Sequence, residues 1–208
     1  TVERDMNVLR ELNLTLAFTL ETHHHADHLT GARVLRQLTG CKVAYPAIEM
    51  PGCADIGVEE STPFQVGTLV LHPLFTPGHT SHHHAYLLDD SPQKMVFSGD
   101  VLMIDACGRT DFQSGYAATL YRSVHEKLFR LPGETIVYPG HDYKGRFVSS
   151  IAQEKTRNPR LGGGKTIEEF VDILDELDLP YPRKIDYAVP GNEQCGKCPP
   201  DGPEKYRV

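Results

Sequence analysis

The 208-residue sequence contains no apolar run close to the roughly 20 residues that a membrane-spanning helix needs. It also has no surplus of basic residues, because 21 Lys and Arg stand against 28 Asp and Glu, a formal net charge of −7. We therefore expect neither a membrane nor a nucleic acid as partner. The start carries no basic amphipathic presequence, so the bacterial cytoplasm is our default expectation, and a mitochondrial location stays open.

Cysteine is scarce and odd in number, with five widely spread residues. This pattern favours a reducing compartment over a disulfide framework. The pair Cys195 and Cys198 forms a single C-x-x-C, without the second pair that a zinc ribbon needs. We interpret it as an ordinary tail loop, with a redox role as the alternative. The five are Cys41, Cys53, Cys107, Cys195 and Cys198.

The order of predicted elements indicates one α/β domain over residues 1–208. Helical spacing of apolar residues predicts helices over 2–12, 29–38, 116–130 and 167–177. Apolar runs predict strands over 14–20, 42–45, 68–75, 84–88, 94–97 and 135–138. Residues 46–63 are interpreted as mostly loop, and about 191–208 as a Pro-, Gly- and Cys-rich tail. Because no repeat or linker divides the chain, we expect a single domain.

Histidine is the unusual abundance, with 11 residues concentrated in a few short segments. The segment after the strand predicted over 14–20 reads His23-His24-His25-Ala26-Asp27-His28. In an extended loop, residues two apart point the same way, so His23 and His25 can face one cavity. Asp27 and His28 lie at the start of the helix predicted over 29–38, where the helix dipole favours a carboxylate. Imidazole and carboxylate bind divalent first-row metals, so the segment predicts a metal site rather than a solvated loop.

The ordered set of ligands resembles the metallo-β-lactamase superfamily. The His23-x-His25-x-Asp27-His28 segment is followed by His79, Asp100 and His141, each after a predicted strand. The resemblance implies an αββα sandwich, in which two mixed β-sheets pack face to face with helices outside. Because the chain begins at the first helix, we expect it to lack the N-terminal strands of that fold.

Further motifs are similar to those of persulfide dioxygenases. They are Cys107-Gly-Arg-Thr-Asp-Phe-Gln113, Ser123-Val-His-Glu-Lys127, Tyr138-Pro-Gly-His-Asp-Tyr143, Asn158-Pro-Arg-Leu161 and Ala188-Val-Pro190. The resemblance implies one non-haem Fe(II) per chain, held by His23, His79 and Asp100 as a facial triad with open positions. It also implies that dioxygen oxidises glutathione persulfide to sulfite and glutathione there. Zinc could replace iron in such a site.

Four other residues match the second metal position of the superfamily, and two match positions near glutathione. In dioxygenases the second position is expected to stay empty, so its residues would orient water and the primary ligands. Since all four are present, a dinuclear enzyme stays open. Arg109 and Tyr143 match the glutathione positions, and an Arg109–Asp111 ion pair is the structural alternative. The four are His25, Asp27, His28 and His141.

Two histidine segments depart from the family pattern, and two rival functions stay open. His24 and the run His82-His83-His84 stand where relatives usually carry other residues, and we interpret all four as structural, with an added metal ligand or a proton-moving role as alternatives. The first rival function is a dinuclear zinc thioester hydrolase similar to glyoxalase II. The second is a non-catalytic metal-binding module. The sequence is compatible with a homodimer.

Overall fold

The computed structural model describes residues 2–89 and 92–203, which fall into two compact units. The first contains the described residues up to Val58 and from Pro180 onward, and the second covers Glu59–Leu179. The described helices are α1 (Val2–Glu11), α2 (Ala32–Thr39), α3 (Ala117–Glu126), α4 (Ile151–Arg157), α5 (Ile167–Asp175) and α6 (Ile185–Asn192). The described strands are β1 (Phe18–Leu20), β2 (Lys42–Pro46), β3 (Ile56–Val58), β4 (Phe64–Val66), β5 (Leu69–Phe75), β6 (His84–Leu88), β7 (Met95–Gly99), β8 (Ile136–Pro139) and β9 (Ser149–Ser150).

The first unit is built on a three-stranded sheet of order β1-β2-β3. Both strand pairs are parallel. Among the described strands this sheet is therefore parallel, whereas a mixed sheet was expected from the sequence. Parallel neighbours need a crossover connection, and α2 supplies the one between β1 and β2. Gly40 ends α2 with a φ of 74°, the left-handed conformation that suits glycine. Val43 and Tyr45 of β2 are buried against Ala32 of α2.

The second unit contains a six-stranded sheet of order β4-β5-β6-β7-β8-β9. This sheet is mixed, since β7 and β8 are parallel and the other pairs are antiparallel. Its core joins Ala85, Val96 and Val137 of the central strands to Leu120 of α3 and Phe170 of α5. All five residues of β6 are buried, which explains the apolar run that follows His84. The polar segments that follow β5, β7 and β8 are therefore supported by a rigid sheet.

Several short elements escaped prediction from the sequence. Strands β3, β4 and β9 have two or three residues each, too few for a period to be visible. Helix α6 contains Pro190, and α4 has only seven residues, so neither was predicted. The strand predicted over 14–20 is confined to Phe18–Leu20. Residues 204–208 of the predicted tail lie outside the described residues. No helix within the described ranges is long and apolar enough to cross a bilayer.

The first unit contains a disulfide between Cys53 and Cys195, which the sequence analysis did not expect. The two residues are 142 positions apart, so only the fold reveals that the segment after α6 meets the loop between β2 and β3. Cys41, Cys107 and Cys198 are free and buried. The interpretation of Cys195 as part of an ordinary tail loop was therefore wrong.

Candidate metal centre

The histidine segment of the first unit follows β1 directly and folds so that its rings meet. His23 is buried, and its Nδ1 lies 2.9 Å from the hydroxyl oxygen of Thr22. The ring centroids of His23 and His25 are 4.4 Å apart, which agrees with their predicted orientation toward the same side. His24 points elsewhere, since its Nε2 donates a hydrogen bond to the carbonyl oxygen of Glu49 at 3.1 Å. The structural interpretation of His24 agrees with this contact.

His25, Asp27 and His28 form a cluster that could hold a cation. One ligand atom from each lies within 4.8 Å of the others. Nδ1 of His28 donates to Oδ1 of Asp27 at 3.0 Å, and both side chains are about half exposed. The expected support from a helix dipole was wrong, because α2 begins only at Ala32. The dipole effect falls off within one turn, so Asp27 is too far along the chain to gain from it.

Two buried residues that the sequence analysis missed hold this cluster in place. Glu21 lies 3.6 Å from Nε2 of His25 and accepts a hydrogen bond from the hydroxyl of Thr30. Burial raises the pKa of Glu21, but the hydrogen bonds from His25 and Thr30 and the nearby imidazoles of His25 and His28 together outweigh it, so the pKa lies below its ordinary value. Its carboxylate therefore stays ionised behind His25 and orients that imidazole.

Asn192 is the second such residue, at the end of α6. Its Nδ2 donates to the carbonyl oxygens of His25 and His28, both at 2.8 Å. Its Oδ1 accepts a hydrogen bond from the backbone N–H of Thr30 at 2.9 Å. The side chain is fully buried, so these three bonds tie the histidine segment to α6. The nearby Ala188-Val-Pro190 motif was the only signal in the sequence that pointed to this region.

The second unit brings together His79, Asp100 and His141, which follow β5, β7 and β8. Nε2 of His79 lies 3.6 Å from Oδ2 of Asp100. Nδ1 of His141 donates to Oδ1 of the same carboxylate at 2.8 Å. Asp100 is only 8% exposed, so its negative charge is concentrated at the two imidazoles.

The tautomer of His79 suits a metal ligand. Its Nδ1 lies 2.7 Å from the carbonyl oxygen of Arg109 and donates a hydrogen bond to it. The lone pair of the neutral ring is then on Nε2, the atom that faces Asp100. A backbone acceptor behind a ligating histidine fixes the ring and raises the basicity of the other nitrogen. The donor set of His79 and Asp100 therefore fits a divalent metal of the first transition row.

Two glycines allow the backbone to approach these ligands. A Cβ atom on Gly108 would lie 2.6 Å from Nδ1 of His79 and 2.7 Å from the carbonyl oxygen of Asp100. A Cβ atom on Gly140 would lie 2.5 Å from Oδ1 of Asp100. Real Cβ atoms do not come this close, so a larger residue at either position would displace a ligand.

The run His82-His83-His84 is fully buried beside the site. His83 is in contact with it, because its Nε2 accepts a hydrogen bond from the backbone N–H of Asp100 at 3.2 Å. Its Nδ1 lies 2.9 Å from the hydroxyl of Thr76. Burial, followed by the nearby imidazole of His79, holds the pKa of His83 well below its ordinary value, so the ring is neutral. His84 donates from Nδ1 to the carbonyl oxygen of His82, a purely structural contact.

Arg109 lines a cavity of about 510 Å³ in the second unit. Its guanidinium forms a bidentate pair with Asp111, with both N–O distances 2.6 Å, and lies 4.6 Å from the ring centroid of Phe112. Hydrogen bonding within this pair raises the pKa of Arg109 and lowers that of Asp111. Tyr143 does not line the cavity. It is 86% exposed, and its ring lies parallel to that of His141 with centroids 6.0 Å apart. The cavity is also lined by Thr110, Gly115, Tyr116, Ala117, Ala118, Val171, Leu174, Asp175, Leu177 and Leu179.

Comparison with known proteins identifies similar chains. The family model described as the metallo-beta-lactamase superfamily matches residues 9–141. The mitochondrial persulfide dioxygenase ETHE1 of Bos taurus is 46% identical over 202 residues, covering 96% of this chain and 78% of its own length. The crystal structure of ETHE1 from Myxococcus xanthus has a TM-score of 0.88 at 49% identity, covering 94% of this chain and 84% of that chain. Hydroxyacylglutathione hydrolase of Brucella ovis is 39% identical over 143 residues, 66% of this chain and 53% of its own length.

Proposed function

Because the chain belongs to the metallo-β-lactamase superfamily and to its persulfide dioxygenases, we propose that it oxidises glutathione persulfide to sulfite and glutathione at one Fe(II). The fold is that of the superfamily, and the chain is an enzyme of the dioxygenase type. The observation that carries the finer proposal is the pairing of Nε2 of His79 with the buried carboxylate of Asp100, supported from behind by the Arg109 carbonyl.

We propose that His23, His79 and Asp100 hold the metal. The support is the ordered spacing of the three, the Nε2 of His79 that faces Asp100, and the buried carboxylate of Asp100 itself. When bound, Fe(II) in such a triad supplies open positions for a sulfur anion and for dioxygen. The backbone carbonyl of Arg109 keeps the ring proton of His79 on Nδ1. Gly108 and Gly140 keep the space beside the ligands free of side chains.

The glutathione part of the substrate is assigned to the cavity beside Arg109. Glutathione carries two carboxylates, which the fork of a guanidinium binds in bidentate fashion. In the described structure the fork is engaged by Asp111, whose side chain is 58% exposed. Asp111 is thus placed to hold the guanidinium in position until a substrate carboxylate arrives. The ring of Tyr143 lies parallel to that of His141, and we propose Tyr143 as a further substrate contact.

His25, Asp27, His28 and His141 are assigned to orienting roles. His141 donates to Oδ1 of Asp100, which leaves Oδ2 directed at His79. The cluster of His25, Asp27 and His28 is intact, and this observation favours the hydrolase as second candidate, together with the partial match to hydroxyacylglutathione hydrolase. That match covers 66% of this chain and 53% of the hydrolase, whereas the dioxygenase match covers 96% of this chain and 78% of the dioxygenase.

The experiment that tests the proposal measures metal content and oxygen uptake on anaerobically purified protein. We expect about one iron per chain and oxygen uptake with glutathione persulfide, both lost in Asp100→Ala. Asp172→Asn, an exposed carboxylate of α5, is the matched control and should retain both. Two zincs and hydrolysis of S-lactoylglutathione without oxygen uptake would favour the hydrolase. Metal binding without turnover on either substrate would favour the binding module.

Three further assignments stay predictions. We propose that residues 1–208 form a single domain, supported by a family match over 9–141 that takes in parts of both units. The name of the bovine relative places that protein in mitochondria, and the compartment of this chain is a separate question. The metal analysis tests whether zinc replaces iron. Sedimentation tests whether the chain forms a homodimer.

A further inference from the structure

The Cys53–Cys195 disulfide lies at a small cavity lined by basic side chains. The cavity measures about 220 Å³ and contains both cysteines together with Arg33, Arg36 and Lys197. Cys53 is partly exposed, whereas Cys195 is only 2% exposed. A disulfide is attacked by a thiolate at an accessible sulfur, so Cys53 is the sulfur that a small thiol would reach.

The charges around the cavity select the kind of thiol. Arg36 is neutralised, because it donates to Oδ2 of Asp55 at 3.2 Å and to the Cys53 carbonyl at 2.8 Å. Arg33 and Lys197 add two positive charges to the lining, and none of the described residues that line the cavity is acidic. A thiol that carries carboxylates is attracted to such a surface, and a cationic thiol is repelled.

We propose that Cys53–Cys195 is a thiol–disulfide exchange site for anionic low-molecular-weight thiols. The thiolate of the small molecule attacks Sγ of Cys53, the S–S bond breaks, and Cys195 leaves as a thiolate. A second thiolate then attacks the small-molecule sulfur of this mixed disulfide, so that the Cys53 thiolate leaves. Both cysteines are then reduced, and the two small thiols are joined as a disulfide. Two small thiols supply the two electrons. This site is separate from the proposed metal centre and does not depend on the dioxygenase assignment.

Opening this disulfide would loosen the histidine segment within the same unit. Cys195 is bonded to the end of α6, since its backbone N–H donates to the Asn192 carbonyl at 2.9 Å. The side chain of Asn192 in turn holds the carbonyls of His25 and His28 and the N–H of Thr30. The disulfide therefore holds Asn192 in place, and the side chain of Asn192 is hydrogen-bonded to the segment over 25–30.

The first test uses the unmodified chain after air oxidation. Incubation with millimolar glutathione should produce one mixed disulfide, which peptide mass mapping should locate at Cys53. Glutathione should react about tenfold faster than cysteamine, a cationic thiol, after correction for their thiolate fractions. The double variant Arg33→Gln/Lys197→Gln should remove most of this preference. Arg122→Gln, an exposed cation of α3, is the matched control and should preserve it.

The second test follows hydrogen exchange of the peptide that covers residues 25–33. Reduction should speed exchange there by about tenfold, a change within the range that loss of a disulfide allows. The oxidised Cys198→Ala variant should behave as the unmodified chain does. The proposal is overturned by five titratable thiols in the oxidised protein, by a mixed disulfide at Cys41, Cys107 or Cys198, or by a cysteamine rate equal to that of glutathione. Unchanged exchange after reduction would overturn the link to Asn192.

Discussion

Nε2 of His83 accepts a hydrogen bond from the backbone N–H of Asp100 at 3.2 Å. Since this nitrogen accepts, the ring proton is on Nδ1 and is donated to the hydroxyl of Thr76. The neutral tautomer of a buried histidine thus positions the carboxylate that we assign to the metal. The sequence predicts only a structural role for His83, and this contact gives it a more specific one.

Replacement of His83 by Ala should weaken metal binding without removing a ligand. The Asp100 N–H would lose its acceptor in a buried site, at a cost of about 1–3 kcal/mol. We expect iron affinity to fall about 10–100-fold, as for other residues that orient ligands. His83→Gln, whose carbonyl can accept the same bond, should recover part of the loss. His84→Gln is the control, and equal affinity losses in the His83 and His84 variants would contradict the positioning role.

Gly140→Ala should displace the carboxylate of Asp100, because the new methyl would lie 2.5 Å from Oδ1. Gly108→Ala should disturb His79 in the same way. We expect a loss of about 1–3 kcal/mol in unfolding free energy and an iron affinity lower by tenfold or more. Chemical denaturation and iron titration measure the two effects. Gly52→Ala, where a Cβ atom meets nothing within 4 Å, is the matched control and should change neither.

Arg109→Gln separates substrate binding from structural support. If the guanidinium binds a glutathione carboxylate, KM for the persulfide should rise about tenfold or more, the effect of one charge-assisted hydrogen bond, with kcat little changed. Arg109→Lys should recover little, because an ammonium lacks the bidentate fork. Asp111→Asn removes the ion pair and frees the guanidinium for the substrate, so KM should stay unchanged or fall. A KM that rises equally in the Asp111 and Arg109 variants would instead indicate that the ion pair is only structural.

The stability of the chain should depend on His125 below neutral pH. Burial lowers the pKa of His125 from its ordinary value of 6.5, and its Nε2 donates to the carbonyl oxygen of Leu161 at 3.0 Å. The unfolded chain therefore binds more protons between the lowered pKa and pH 6.5, so stability falls as pH falls through this window. His125→Gln retains a donor and cannot titrate. Its melting temperature should drop by about 1–2 °C less than that of the unmodified chain between pH 7 and pH 5.

At pH 8 the histidine is neutral in both the folded and the unfolded chain. The difference in melting temperature between His125→Gln and the unmodified chain at this pH therefore measures the loss that comes from packing alone. That packing includes the ring of Tyr121, whose centroid is 3.9 Å from that of His125. An identical pH dependence in the two proteins would show that His125 does not contribute to it.

The sequence by itself determined the order of the histidine and aspartate residues and the strands that precede them. Strands with strong patterns were predicted at or near their observed bounds, as with β6 at His84–Leu88. The orientation of His23 and His25 followed from backbone alternation, which is a local property. The family resemblance was confirmed for the same reason, because ligand spacing along the chain survives without knowledge of the fold.

Only the tertiary structure decided which distant groups support those ligands. Asn192 reaches the carbonyl of His25 across 167 positions, and Cys195 reaches Cys53 across 142. Glu21 and His83 have no local pattern that marks them, since their roles depend on burial and on the partners that the fold brings to them. Burial removes water as a competing partner, so a hydrogen bond or charge that would matter little at the surface becomes decisive there. Such contacts are properties of packing, and no local sequence pattern encodes them.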